Sequence, residues 1–265
     1  MKHSLIYFSA LLLLLTGCNY AEFPIDKFET EDINFEQFVD MRDGQVYKYV
    51  QIGDQIWMAE NMRYLPKVNN TSDDDQYRVY GYTGNNPNDV RSYGLSPDAA
   101  NDYVPVGFAV YPNFGVLYNY RAAQNAVPAG WRIPTQADYQ KLQLYLEEEL
   151  RKRMHGNISN LAVVALLSNK TASLGIRWAD YNLQNETLKT DHPEWGFSGF
   201  NLLPAGNYVS GFQYAGTRSY LWTQTSNPST DYERHEVFCI EDIYDGFYYE
   251  LFHNSHFMSL RCIKN

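Results

Sequence analysis

Hydrophobic and polar positions divide the chain into distinct stretches. Behind Lys2 and His3, residues Leu5 to Leu15 are almost wholly apolar. That run is shorter than the ~20 residues a membrane-spanning helix needs, and it has the length of a secretory signal core. Residues 19–38 are polar and acidic and read as a tether. From Val46 the pattern alternates, with Val46, Lys48, Val50 and Ile52 set against Tyr47, Tyr49 and Gln51, the period of a strand. Gly53-Asp54 forms a two-residue turn, and Gln55 to Met58 returns as a second strand. Residues 67–107 are rich in Asn, Asp, Gly, Pro and Tyr without sustained periodicity, and are expected to form a long surface loop or small insert. Thr135 can cap a helix, with Asp138 in a capping-box position and Tyr139, Leu142, Leu146 and Leu150 at helical spacing. Gly156 is expected to end it, and Ser159 to cap a second, buried helix through Leu161 to Leu167. Beyond Trp178 the pattern is strand and loop, closing on a short strand near Leu260 to Ile263. The class is α+β, with the opening hairpin and the final strand expected to pair.

The residues at the end of the apolar run change its meaning. Leu15-Thr16-Gly17-Cys18 resembles the bacterial lipobox, in which small residues precede a cysteine that takes diacylglycerol. Residues 1–17 are then a signal peptide, 18–38 a lipidated cysteine and tether, and 39–265 the folded domain. Two or three acyl chains on Cys18 would make membrane attachment effectively permanent. Asn19 comes after the cysteine in place of the inner-membrane retention aspartate, so the expected location is the outer membrane, with surface exposure suggested weakly by Glu22 and Asp26.

Composition narrows the function. A net charge of −10 argues against nucleic acid. The 23 Tyr, 14 Phe and 5 Trp suit sheet packing, and also suit pyranose-stacking surfaces. With Cys18 lipidated, Cys239 and Cys262 remain as a candidate disulfide in an oxidising compartment. Catalytic chemistry finds little footing. His253 and His256 would lie on opposite faces of a strand and converge only in a turn. The run Asp73-Asp74-Asp75 lacks the spaced ligands and turn glycine of a calcium loop. Nothing pairs Glu60, Glu194, Glu241 or Asp242 as a glycosidase requires, and there is no Gly-x-Ser-x-Gly elbow. No metal, cofactor or enzymatic activity is expected.

Six blocks in order resemble the Fibrobacter succinogenes major paralogous domain. They are Asp40 to Tyr47 with Val50 to Asn61, Gly115 to Asn119 with Ala122-Ala123, and Pro128 to Thr135 with Asp138 and Leu142. They continue with Gly196 to Phe200 and Leu203 to Gly206, then Leu221 to Thr225, and end with Ser259 to Lys264. The resemblance implies a C-type lectin-like domain, related to formylglycine-generating enzymes, with two helices, adjacent terminal strands and long ligand-bearing loops. Placed inside those blocks, Trp57, Trp131 and Trp222 are expected in the core and Glu60 in a structural hydrogen bond. Val127 stands where the family usually has a cysteine, so Cys239 would be a rewired partner for Cys262. The calcium and sugar ligands of true C-type lectins are not recognisable, nor is the catalytic cysteine pair of the formylglycine-generating enzymes. The implied ligand surface combines loops 67–107 and 241–257, giving Tyr80, Tyr82, Tyr244, Tyr248, Tyr249, His253 and Asn254 as contacts; the alternative for 241–257 is an ordinary hairpin whose alternate residues face the core. The expected function is a non-catalytic envelope module binding glycan or protein. A structural subunit docking another envelope protein is second, and a glycan-active hydrolase third.

Overall fold

The computed structural model describes residues 33–98, 104–153, 159–168, 174, 196–226, 233–240 and 248–265. Cys18 and the expected signal segment lie outside them, as do Tyr244 and Gly156. The first sheet is built on the expected hairpin. Strands β2 (Gln45–Ile52) and β3 (Gln55–Met58) pair antiparallel across Gly53-Asp54. Gly53 sits at φ +62°, and a Cβ there would lie 2.9 Å from the Tyr145 ring, so both the backbone and the packing select glycine. Strand β12 (Ile263–Lys264) slots between β3 and β6 (Trp131–Arg132), with Ile263 facing both Trp57 and Arg132. The opening hairpin and the final strand therefore adjoin, as their patterns predicted.

One boundary moves. Strand β1 (Glu36–Asp40) pairs along β2 and completes the order β1-β2-β3-β12-β6, so the fold takes in residues assigned to the tether. Phe38 accounts for this: its ring stacks on Tyr47 at 5.4 Å and on Trp131 at 4.9 Å. Phe38, with Ile33 and Phe35 packed on the other apolar cluster, outweighs the polar composition around them.

The second sheet runs β11-β10-β9-β7-β8. Its strands are β7 (Ala205–Tyr208), β8 (Phe212–Ala215), β9 (Ser219–Ser226), β10 (Arg234–Ile240) and β11 (Tyr248–His253). All neighbours are antiparallel except β7 and β9, which run parallel where Gly206 meets Ser219. Between the sheets lie α4 (Gln136–Arg153) and α5 (Ser159–Leu166), the two expected helices. Tyr139, Leu142, Leu146 and Leu150 form the buried stripe of α4, and Tyr139 stacks on Phe238 of β10 at 4.2 Å and 5°. The capping box is real: Asp138 N donates to Thr135 Oγ1 (3.2 Å) and Thr135 N to Asp138 Oδ2 (2.7 Å).

The third region is where expectation and structure part. Of the two forms expected for 67–107, a surface loop or a small insert, the described residues 67–98 and 104–107 do not fit the first. Val68, Tyr77, Val79, Tyr80, Tyr82, Val90, Leu95 and Val104 are buried in the larger of two apolar clusters. This layer contains β4 (Tyr77–Arg78), which pairs with β5 (Leu117–Tyr118), and α1 (Pro87–Val90). Two further short helices, α2 (Val110–Phe114) and α3 (Tyr120–Ala126), complete it. Trp57, Trp131 and Trp222 all lie in the core, and Glu60 accepts from Lys48 N at 3.3 Å.

Candidate functional site

The residues expected to bind ligand do not form one surface. Tyr80 and Tyr82 are core residues. The Tyr80 ring packs 5.0 Å from Phe212, and Tyr82 meets Tyr93 edge-on at 5.2 Å while its hydroxyl donates to Asn86 O. Tyr248 and Tyr249 are neighbours in β11, so strand alternation sends them to opposite faces. Tyr249 packs edge-on against Phe238 and donates to Gln136 O at 3.4 Å, on the α4 side. Tyr248 packs against the other cluster. His253 ends β11 and Asn254 opens the turn after it, both part-exposed. That turn brings the His253 and His256 rings within 6.1 Å of each other.

The cysteine pairing is corrected. Cys239 and Cys262 are buried thiols, not bridged to each other. Cys239 lies next to the end of β10, paired between β9 and β11 of the second sheet. Cys262 precedes β12 in the first sheet, its carbonyl accepting from Met58 N. Each is packed into apolar surroundings in its own sheet, and burial pushes the Cys262 thiol well up.

Two asparagines organise the region around α3. Buried Asn119 caps the helix: its Oδ1 accepts from Ala122 N (2.9 Å) and Gln76 N (3.0 Å), and its Nδ2 donates to Asp74 O (2.7 Å). One side chain thus fixes the acidic segment against the helix. On the other side, Tyr120 N donates to Asn254 O at 2.9 Å. Asn254 Nδ2 donates to Glu233 (3.1 Å), which leaves its Oδ1 to accept from His235 Nδ1 (2.7 Å). The His235 ring stacks on Tyr120, centroids 3.4 Å apart. Burial lowers the pKa of His235, outweighing the opposing pull of Asn254 and Glu233.

Beside this hub an open polar groove of about 480 Å³ is lined by Lys67, Ser72, Asp73, Asp74, Asp75, Arg121 and Asn125. It is not a bare acidic run. Lys67 Nζ donates to Asp73 and, at 2.6 Å, to Asp75. Asp73 also accepts from Asn70 Nδ2, and Asp75 from Tyr77 Oη (3.2 Å) and Asn125 Nδ2 (3.4 Å). The hydrogen bonds that Lys67 donates to Asp73 and then Asp75 raise its pKa. Burial resists ionisation of Asp75, but Lys67 prevails and lowers it. By contrast, the Asp74 carboxylate and the Arg121 guanidinium are exposed and hold no partner among the described residues. The groove therefore offers a fixed acidic floor with one open acceptor and one open donor. Among the described residues, no group of three or more His, Cys, Asp or Glu is placed to hold a metal ion. Lys67, Asn119 and Arg121 were missed from sequence because their roles exist only once distant loops meet.

Comparison with known proteins is consistent with the six blocks. The sequence model of the Fibrobacter succinogenes major domain matches residues 50–264. No curated protein and no solved structure matches the chain. With most of its length covered by that match, the chain belongs to the Fibrobacter succinogenes major domain family.

Proposed function

We propose that this chain is a non-catalytic binding module of the bacterial cell envelope, lipid-anchored through Cys18 and taking a glycan in the groove beside α3. The observation that carries the reading is the groove itself. Its floor is held by Lys67 and Asn119, while Asp74 and Arg121 remain open. Sugars are bound by carboxylates that accept from hydroxyls and by guanidinium or amide groups that donate to them, and fixed groups lose little freedom on binding. A volume of about 480 Å³ suits one or two sugar rings. Asp73 and Asp75 already share one lysine, which makes them poor candidates for paired acid and base. The C-type lectin-like reading is supported by the adjoining β3 and β12, the two main helices and the loop-rich half that carries the groove. The lipid anchor rests on Leu15-Thr16-Gly17-Cys18, and placement at the outer membrane, facing outward, rests on Asn19 and the acidic residues after it.

A second reading, a structural subunit docking another envelope protein, is favoured by one feature. Val39 and Val46 are cross-strand partners in β1 and β2, 50% and 45% exposed, and Met41 in the connecting turn is 88% exposed. These make an apolar hairpin tip. A glycan array probed with the full lipoprotein in detergent, with calcium and then with chelator, separates the two. Glycan binding lost in Asp74→Asn and Arg121→Ala, with unfolding temperature unchanged, supports the module. No binding in either condition, with a protein partner captured by the wild type and released by Met41→Ser, supports the subunit. Labelled palmitate on the wild type and none on Cys18→Ser tests the anchor.

A further inference from the structure

The geometry points to a second binding site, at Arg78, for the carboxylate of an acidic sugar. The chain has 31 acidic residues against 21 Lys and Arg, and the ion pairs of Arg42, Arg63, Lys67, Arg132, Lys141 and Lys152 use nearby carboxylates. Arg78 has none among the described residues. Its guanidinium sits instead in the corner of two rings, 4.0 Å from the Tyr208 centroid and 4.6 Å from that of Phe257. The rings meet at 87°, and Arg78 as a whole stays part-exposed beside them.

Its donors are under-used. Nη1 donates to Asn69 Oδ1 at 3.3 Å, a long bond to a neutral acceptor. Nε is buried with no acceptor. A guanidinium presents five N–H donors in a rigid fork that matches a carboxylate, and a buried donor left unmade is costly. A residue serving only to pack two rings would have its donors satisfied or in water. Here the rings hold the cation, and its Nε–H is left without an acceptor among the described residues. A ligand carboxylate supplies the missing acceptor.

The neighbouring walls favour a sugar. Tyr208 and Phe212 are part-exposed and meet edge-on at 5.0 Å, giving aromatic surface for pyranose C–H groups beside the charge. This site is separate from the groove. Tyr77, the other residue of β4, turns toward Asp75 and Lys67, so Arg78 turns to the opposite side. The inference stands even if the groove binds nothing.

The test uses the full chain labelled with ¹⁵N-arginine, titrated with a glucuronate-containing disaccharide and with its carboxyl-reduced counterpart. The Arg78 Nε–H resonance, assigned by its loss in Arg78→Lys, is expected to shift saturably with the acid alone. Arg78→Met should weaken binding of the acid about tenfold or more, while Asp74→Asn and Arg121→Ala leave the shift intact. Equal affinity for the acid and reduced sugars, or no saturable shift, would overturn the site, as would Arg78→Met costing stability without changing acid preference. A shift produced by a short Glu-rich peptide and not by the sugar would overturn the choice of ligand.

Discussion

Asn61 and Arg261, 200 positions apart, are joined by a two-pronged hydrogen bond in the core: Arg261 Nε and Nη2 both donate to Asn61 Oδ1, at 3.2 and 2.8 Å. Arg261 also donates to the carbonyls of Phe200 and Asn201 and lies 4.5 Å over the Phe200 ring. It is 1% exposed and, among the described residues, bonded to carbonyl oxygens and no carboxylate. Burial pushes its pKa down to about 9, which still leaves it charged at neutral pH. The arginine locks the end of the opening hairpin, the 199–201 segment and the final strand into one unit. Asn61→Ala should therefore destabilise the fold by about 3 kcal/mol, two charge-assisted bonds being lost at once. Urea denaturation measures it, and a loss under about 1 kcal/mol would mean water replaces the amide.

Asp138 does more than cap α4. Arg132 donates to it through both Nη atoms, at 2.6 and 2.8 Å, and Thr135 adds its N and Oγ1. Burial opposes ionisation, but the hydrogen bonds from Arg132 and Thr135 outweigh it and hold the carboxyl down at about 2. A carboxyl lower in the folded state stabilises above its unfolded pKa near 4, and that stability drains away as pH falls through about 2. Asp138→Asn should cost about 1–2 kcal/mol at pH 7, and wild type and variant should converge in stability toward pH 2.

The pKa of His235 is shifted down by burial, as is that of His256, where His253 and Arg234 add to the effect. An unfolded histidine titrates near 6.5. Below that pH the unfolded chain takes up protons that the folded one resists, so stability is full above about 6.5 and declines as pH falls toward the folded values. The unfolding temperature should be flat from pH 8 to 7 and fall between 6.5 and 5. His235→Asn, which keeps a donor for Asn254, should flatten part of that fall. Parallel curves for the two proteins would remove His235 from the account.

Cys239 and Cys262 should resist an aromatic disulfide reagent in the native protein and react together on denaturation, with reductant leaving the unfolding temperature unchanged. A drop of several degrees on reduction would show a bridge after all.

How far the sequence could be read has physical causes. The β2–β3 hairpin was legible because period two and a glycine turn are local signals, and α4 because its cap and leucine stripe span five turns. β4, β5, β6 and β12 are two residues long, too short to carry a period; the final strand was placed only roughly, near Leu260 to Ile263, and β6 lay unread inside a family block. In 67–107 the buried residues fall at irregular intervals, so polar composition hid a layer of the core. Tyr248 and Tyr249 looked like a joint platform until strand geometry separated them. A count of cysteines could suggest a pair, but not that each sits in a different sheet. In the groove, the sequence showed three aspartates in a row but not the lysine that donates to two of them, nor the asparagine that holds the backbone of the third.

The most direct test is titration calorimetry of the full lipoprotein against the strongest array ligand, comparing wild type with the Asp74→Asn, Arg121→Ala double variant. Saturable one-site binding to the wild type is expected. The double variant should bind at least about tenfold more weakly, with an unchanged unfolding temperature. Equal binding by both proteins would place recognition away from the groove and contradict the proposed function.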